Sequence, residues 1–271
     1  MAYIRVGISG WMYPAWRGDF YPKGLAHRRE LAYAAEQLSS IEINGTFYAL
    51  QKPESYVKWR SETPDGFVFA LKGARYITHM KRLLDAETGL ANFFAAGTLA
   101  LGPKLGPILW QLPPTLQFEP ARLSNFFDLL PRTTTEAAEL AAGHDEKLAE
   151  DRVFAQTEIE LPIRYAVEAR HESFAVPEAV DLMREHDIGF VVADTAGRYP
   201  QITTPTSDFV YVRMHGDKEL YASGYTDDAL DEWAERFRGW MDEGLDVFVY
   251  FDNDMKGFAP HNAMALLDRF T

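Results

Sequence analysis

The ten residues Arg164–Ser173, RYAVEARHES, run from an apolar stretch straight into Glu168, Arg170 and His171 with no polar turn between. In a strand, residues two apart point to the same face, so Glu168 and Arg170 share a side. The arrangement recurs in IEIN (Ile41–Asn44) with Glu42 and Asn44, and in VYVRMHG (Val210–Gly216) with Arg213 and His215. Apolar strands that each end in two same-side polar residues are expected where strands empty into a common polar mouth. Lys72, Arg170 and Arg213 at such a mouth suit a phosphate or carboxylate, the arginines through bidentate contact. Glu168, Asp194 and His215 are the candidates for moving a proton, because neighbouring charges would split their pKa values. Glu42, Asn44, Gln111 and Asn253 join the three cations as ligand contacts.

Rings accompany these groups. Trp11, Trp16, Phe20 and Tyr21 follow the first strand, and Phe47 and Tyr48 the second. Trp110 lies on the fourth, Phe174 follows the fifth, and Tyr221 and Tyr225 follow the seventh. Trp11 and Tyr48 are taken as ligand contacts, since rings beside polar groups suit sugars and nucleobases. The plain alternative is that such rings plug the barrel top or pack helices. Likewise, Glu168 with Arg213, or Glu42 with Arg170, could be buried ion pairs that position strands. His27, His79, His144, His186 and His261 are expected at the surface. His171 has the opposite parity to Glu168 and Arg170 and is expected to face a helix.

These side chains need a scaffold that gathers strand ends. Strands are expected at Ile4–Ser9, Ser40–Asn44, Gly66–Gly73, Pro107–Pro114, the Arg164 stretch, Ile188–Asp194, Val210–Gly216 and LDVFVYFDND (Leu245–Asp254). Helices are expected between them at His27–Gln37, from Pro53, at Glu87–Leu101, Ala121–Leu130, Pro177–Asp187 and Thr226–Gly244, with a closing helix in APHNAMALLDRF. Residues 132–160 are Ala/Glu-rich and read as an insertion of one long solvated helix, without forming a separate domain. GRYPQITTPTS is too rich in Pro and Thr for a helix, so one crossover is abbreviated. Buried strands alternating with amphipathic helices mean a parallel sheet, and this count and length fit a single-domain α/β (β/α)₈ TIM-type barrel over residues 1–271. An open doubly wound sheet is the competitor, but Gly7, Gly10 and Gly18 match no phosphate-binding glycine turn. In a barrel, the C-terminal strand ends build the site.

Composition narrows the classes. With no cysteine among 271 residues, disulfides, iron–sulfur clusters and thiolate zinc are excluded. A formal charge of −13 disfavours sequence-independent nucleic-acid binding. No stretch approaches the roughly 18 apolar residues of a membrane span, and the start reads as a strand rather than a signal peptide, so a cytoplasmic protein is expected. No cofactor is called for. A divalent metal is the competing use of Glu42, Glu168, Asp194, His215 and Asp254, against which stand three cations and the lack of HxH or HExxH spacing.

The stretches GISGWMYPAWRGDFYP, IEINGTFYALQKPES, LKGARYITHMKRL, LGPILWQLPP, VEARHESF, YVRMHG and YFDNDMKGFAP together resemble the YecE-like family, known as a domain of unknown function (number 72). The resemblance spans almost the whole chain and implies a TIM-type barrel. It also implies that Glu42, Asn44, Lys72, His79, Gln111, Glu168, Arg170, His171, Asp194, Arg213, His215 and Asn253 fall in shared motifs. The insertion and Asp252, where many members have Asn, depart from the family pattern. The family transfers no activity. The leading expectation is therefore a barrel enzyme using acid/base chemistry on a small anionic, ring-containing metabolite, such as a sugar phosphate or nucleotide fragment. Metal-assisted phosphoester hydrolysis and non-catalytic metabolite binding are the alternatives.

Overall fold

The structure is a computed structural model and describes residues 2–270. Nine parallel strands form its sheet: β1 (Ile4–Ser9), β2 (Ser40–Ile43), β3 (Val68–Lys72), β4 (Leu105–Gln111), β5 (Tyr165–Glu168), β6 (Gly189–Phe190), β7 (Val192–Asp194), β8 (Phe209–Met214) and β9 (Asp246–Phe251). Their order is β6-β5-β4-β3-β2-β1-β9-β8-β7. The two edges, β6 and β7, are halves of one expected strand, parted at Val191. One half pairs with β5 and the other with β8, so the sheet curls into a nearly closed barrel. The expected TIM-type architecture is the one observed.

The helices are α1 (Glu30–Gln37), α2 (Gly45–Tyr48), α3 (Pro53–Ser61), α4 (Glu87–Ala95), α5 (Pro120–Asp128), α6 (Thr134–Ala141), α7 (Pro177–Glu185), α8 (Asp227–Asp242) and α9 (Phe258–Leu267). Prolines open α3, α5 and α7, where a missing N–H costs nothing. Among the described residues, no helix is long and apolar enough to cross a membrane.

Three expectations need correction. The helix begun at Glu87 stops at Ala95 instead of Leu101. Gly97 takes φ +108°, and a Cβ there would stand 2.7 Å from Pro53 Cα, so the chain turns sharply into a 3₁₀ segment, Thr98–Lys104. The insertion is not one long helix either. Thr133 and Glu136 form a capping box that starts α6, which ends before Gly143; only a single turn, Glu150–Arg152, follows. Between β2 and α3, finally, where no helix is expected from sequence, stands the short α2. The crossover after β7 is helix-free, as its Pro and Thr content indicates.

The barrel interior is stacked in layers set by strand parity. Phe209 and Phe248 fill its lower end, and Ala70, Leu109, Ala166, Tyr211 and Tyr250 belong to the same apolar cluster. Two residues further along these strands stand Lys72, Gln111, Glu168, Arg213 and Asp252. The polar mouth thus rests on a tyrosine-capped apolar floor.

Candidate functional site

Arg213 is the hub of the mouth and is fully buried. Its Nη2 donates to Glu42 Oε1 at 2.8 Å and to Asp252 Oδ2 at 2.9 Å, while Nη1 donates to Glu168 Oε2 at 2.6 Å. Nε reaches Glu42 Oε2 at 3.1 Å. Tyr211 Oη donates to the same Glu42 Oε2 at 2.7 Å, and the Ser9 hydroxyl donates to Glu42 Oε1. Asn44 Nδ2 in turn donates to Ser9 Oγ at 2.8 Å. On the far side, Arg170 Nε meets Glu168 Oε1 at 2.5 Å and its Nη2 meets Gln111 Oε1 at 3.0 Å. The Glu168–Arg213 pair envisaged from the sequence forms. Glu42, however, pairs with Arg213 rather than with Arg170.

Three carboxylates surround these two guanidinium groups, which fixes the electrostatics. Burial alone would raise the Glu168 carboxyl, but Arg170 and Arg213 outweigh it and hold it well below the usual range. Asp252 is likewise held low, by Arg213 and His215 against burial. Asp254, two residues on and of the same parity, goes the other way. Burial and the neighbouring Asp252 charge push it well above the ordinary carboxyl value. Its Oδ1 is buried without a hydrogen-bond partner. His215 is fully buried between these groups, with Nε2 3.3 Å from Arg213 Nη1. Arginine can only donate, so Nε2 accepts and the ring proton belongs on Nδ1. Nδ1 stands 3.1 Å from Asp252 Oδ2, without the geometry of a hydrogen bond. The Tyr221 ring, on a residue with φ +63°, covers this imidazole edge-on at 5.2 Å.

The opposite side of the mouth is basic. The Lys72 ammonium is buried 4.6 Å from the centre of the Phe47 ring. Burial and Arg213 together lower its pKa to about 8. His79, half-buried and 5.2 Å from Phe47, is lowered to about 4 by burial and by the charges of Arg170, Arg75 and Lys72. His79 therefore belongs to the mouth and not to the general surface. Arg170 also lies over the Tyr199 ring at 5.1 Å, beside a cavity of about 680 Å³ that includes His171 and Arg198.

Not every expected residue converges here. Asp194 ends β7 with the parity opposite to Ala193, a barrel-interior residue. Its carboxylate accepts from Tyr225 Oη at 2.9 Å and faces Trp233 of α8; burial raises its pKa. Asn253 also has the outward parity, and its Nδ2 donates to Ser223 O and Asn262 Oδ1, both at 3.0 Å. Trp11 packs edge-on against Trp59 at 5.4 Å, and its carbonyl accepts from Tyr21. Tyr48 is exposed on the rim of a second cavity, of about 800 Å³, lined also by Phe47, Tyr76, Met80 and Asn92. His171 turns outward and caps the short turn after β5 through the Ser173 N–H. Sequence reasoning passed over Ser9, Tyr211 and the acid/base use of Asp252. Tyr211 shares the parity of Arg213, Asp252 that of Asp254, and Ser9 stands opposite Glu42 in the β1–β2 register.

The five residues of the metal reading do not share a shell. Glu42 and Glu168 are turned onto Arg213, and Asp194 faces away. Among the described residues, no group of three or more His, Asp or Glu is placed to hold a metal ion.

Comparison with known proteins agrees with this fold. A DUF72 family protein from Thermotoga maritima superimposes with a TM-score of 0.76 at 24% identity, covering 99% of both chains. In sequence, the chain is 24% identical to the UPF0759 protein YunF of Bacillus subtilis over 98% of its own length and 94% of that protein's. It is 33% identical to the UPF0759 protein YecE of Escherichia coli K12 over a shorter alignment, 47% of this chain and 44% of the relative. The pattern of the family described as "Protein of unknown function DUF72" matches residues 5–271, and the chain belongs to that family.

Proposed function

We propose that the barrel mouth is an active site moving a proton on a small anionic, ring-containing metabolite, such as a sugar phosphate or nucleotide fragment. The observation that carries this reading is the aspartate pair on the inner face after β9. Asp252 is held ionised beside His215, and Asp254 is pushed toward its protonated form. Two neighbouring carboxyl groups driven apart in pKa supply one base and one acid side by side at the barrel mouth. The basic side supports an anionic ligand, because after burial, the largest cause, it is the charges of Arg170, Arg75 and Lys72 that disfavour a charge on His79. A phosphate or carboxylate would meet Arg170 and the neutral His79 there. Arg213 would not bind it, since its donors are taken by Glu42, Glu168 and Asp252. Its part is to hold the carboxylates in place. Phe47 and Tyr221 offer ring faces and edges to a cyclic ligand.

The test is to incubate the protein with a metabolite extract and follow consumption by mass spectrometry. The expected result is loss of a phosphorylated or carboxylated compound by the wild type and no loss with Asp254→Asn, whose melting curve verifies folding. Inorganic phosphate should raise the melting temperature of the wild type but not of Arg170→Ala. Binding of such anions without any turnover would replace the enzyme by a metabolite-binding barrel. No response to any anion would end the reading.

A further inference from the structure

Two lysines of this chain are buried to the same depth, each 7% exposed, and their surroundings differ completely. Lys104, just before β4, donates from Nζ to Arg60 O at 2.7 Å, Thr63 O at 2.6 Å and Thr63 Oγ1 at 3.0 Å. Its three protons have three acceptors, which is how a structural ammonium is accommodated. Lys72, at the mouth end of β3, has none. Among the described residues no oxygen accepts a hydrogen bond from its Nζ and no carboxylate forms an ion pair with it. Its close neighbour is the Phe47 ring.

We propose that Lys72 is an amine nucleophile that joins the ligand of the mouth through a Schiff base, making that ligand an anionic aldehyde or ketone. The inference rests on the mouth being a small-anion site and narrows the ligand class. Its geometry is that of a reactive group. The amine is at a strand end inside the barrel, desolvated, free of acceptors that would fix its protons, and next to the carboxyl groups of the mouth. Those carboxylates only partly offset the effects of burial and Arg213, so that about a tenth of the amine is unprotonated at pH 7 and about half at pH 8, far more than for an ordinary lysine. In the step, the Nζ lone pair adds to the carbonyl carbon and the carbonyl oxygen takes a proton. The carbinolamine then breaks its C–O bond and forms C=N. Both amine protons leave with that oxygen as one water, relayed by the mouth carboxyl groups, and no oxidant or reductant is consumed.

Reductive trapping tests this on the intact protein. Glyoxylate, which carries an aldehyde and a carboxylate, is added with sodium cyanoborohydride between pH 6 and 10, and modified lysines are mapped by peptide mass spectrometry. Lys72 should be modified at least about tenfold faster at pH 8 than the exposed Lys23 and Lys147, because an ordinary lysine is almost wholly protonated there. Inorganic phosphate should slow modification at Lys72 alone. Modification of Lys72 no faster than of the exposed lysines at every pH overturns the proposal. If phosphate still raises the melting temperature in that case, the anion site stands and only the covalent step falls. If neither phosphate nor glyoxylate has any effect at the mouth, the site reading falls with it. Lys72→Arg, which keeps the charge, should lose the modified peptide and leave surface labelling unchanged.

Discussion

Each end of the barrel holds an arginine between acidic side chains from different strands, and the two clusters differ in what they leave unpaired. At the N-terminal end, Arg164 binds Asp208 at 2.6 Å and Asp246 at 2.7 Å, and its guanidinium lies over the Phe209 ring. It is 26% exposed, and Lys104 nearby is likewise fully matched to acceptors. At the C-terminal end, Arg213 is fully buried among three carboxylates. Around it remain a buried aspartate oxygen without a donor and a buried imidazole nitrogen without a hydrogen bond, with the Lys72 amine, which has no protein acceptor among the described residues, nearby. A cluster that only ties strands together closes its own hydrogen bonds. Buried polar groups left open are costly, and they occur elsewhere too, Arg5 Nε and Trp16 Nε1 among them; what separates the mouth from a clamp is that titratable groups, Asp254 and His215, are left open beside one guanidinium cluster.

The largest effect expected from this contrast lies in the arginines. Arg213→Met strands buried carboxylates and should cost about 3–5 kcal/mol in urea unfolding. Arg164→Met, in water-accessible surroundings, should cost about 1 kcal/mol. Equal costs would mean that the two arginines play the same structural part.

The two buried lysines should respond with effects of opposite sign. Lys72 has a folded pKa of about 8, below its unfolded 10.5, so between those values the unfolded chain holds more protons and stability climbs with pH. Below pH 8 the charged amine imposes its full penalty. Lys72→Met should therefore stabilise the protein by about 3 kcal/mol at pH 7, the gain vanishing by about pH 10.5. Lys104→Met should destabilise by about 1–3 kcal/mol, because it strands the carbonyls of Arg60 and Thr63. Melting curves across pH distinguish the two. A destabilised Lys72→Met would mean that its ammonium is satisfied after all.

Much of this was readable in the chain because strand parity is a two-residue rule. It places Glu42, Glu168, Arg213 and Arg170 on the inner face from sequence alone. The same counting, carried through β7 and β9, sends Asp194 and Asn253 outward and brings Asp252 and Asp254 in; being polar at a strand end does not by itself mean facing the mouth. Ser9 is inconspicuous as a type and matters only because its hydroxyl lies between Glu42, Asn44 and Arg213. His79 could not be placed from sequence, since the π-helical turn Tyr76–Met80 that carries it to the basic side has no simple periodicity. The break at Gly97 depends on the approach of Pro53, some forty residues away, and α6 ends early for want of a continuing apolar face.

Asp194 gives the smallest effect and the finest test of parity. It ends a barrel strand and carries a raised pKa, both properties of a catalytic acid, yet its carboxylate is turned to Tyr225 and α8. Asn in its place can still accept the Tyr225 hydroxyl, so Asp194→Asn should shift stability by less than about 1 kcal/mol. It should leave both the phosphate-induced rise in melting temperature and the glyoxylate labelling of Lys72 unchanged. The raised pKa means that folded Asp194 binds its proton more tightly than the unfolded chain does. The native carboxylate thus costs stability as pH rises above the unfolded value near 3.8, and the variant should flatten that part of the pH profile. If Asp194→Asn instead abolished metabolite consumption as Asp254→Asn should, the outward-facing side chains would belong to the site, and position on the inner face would no longer be its defining property.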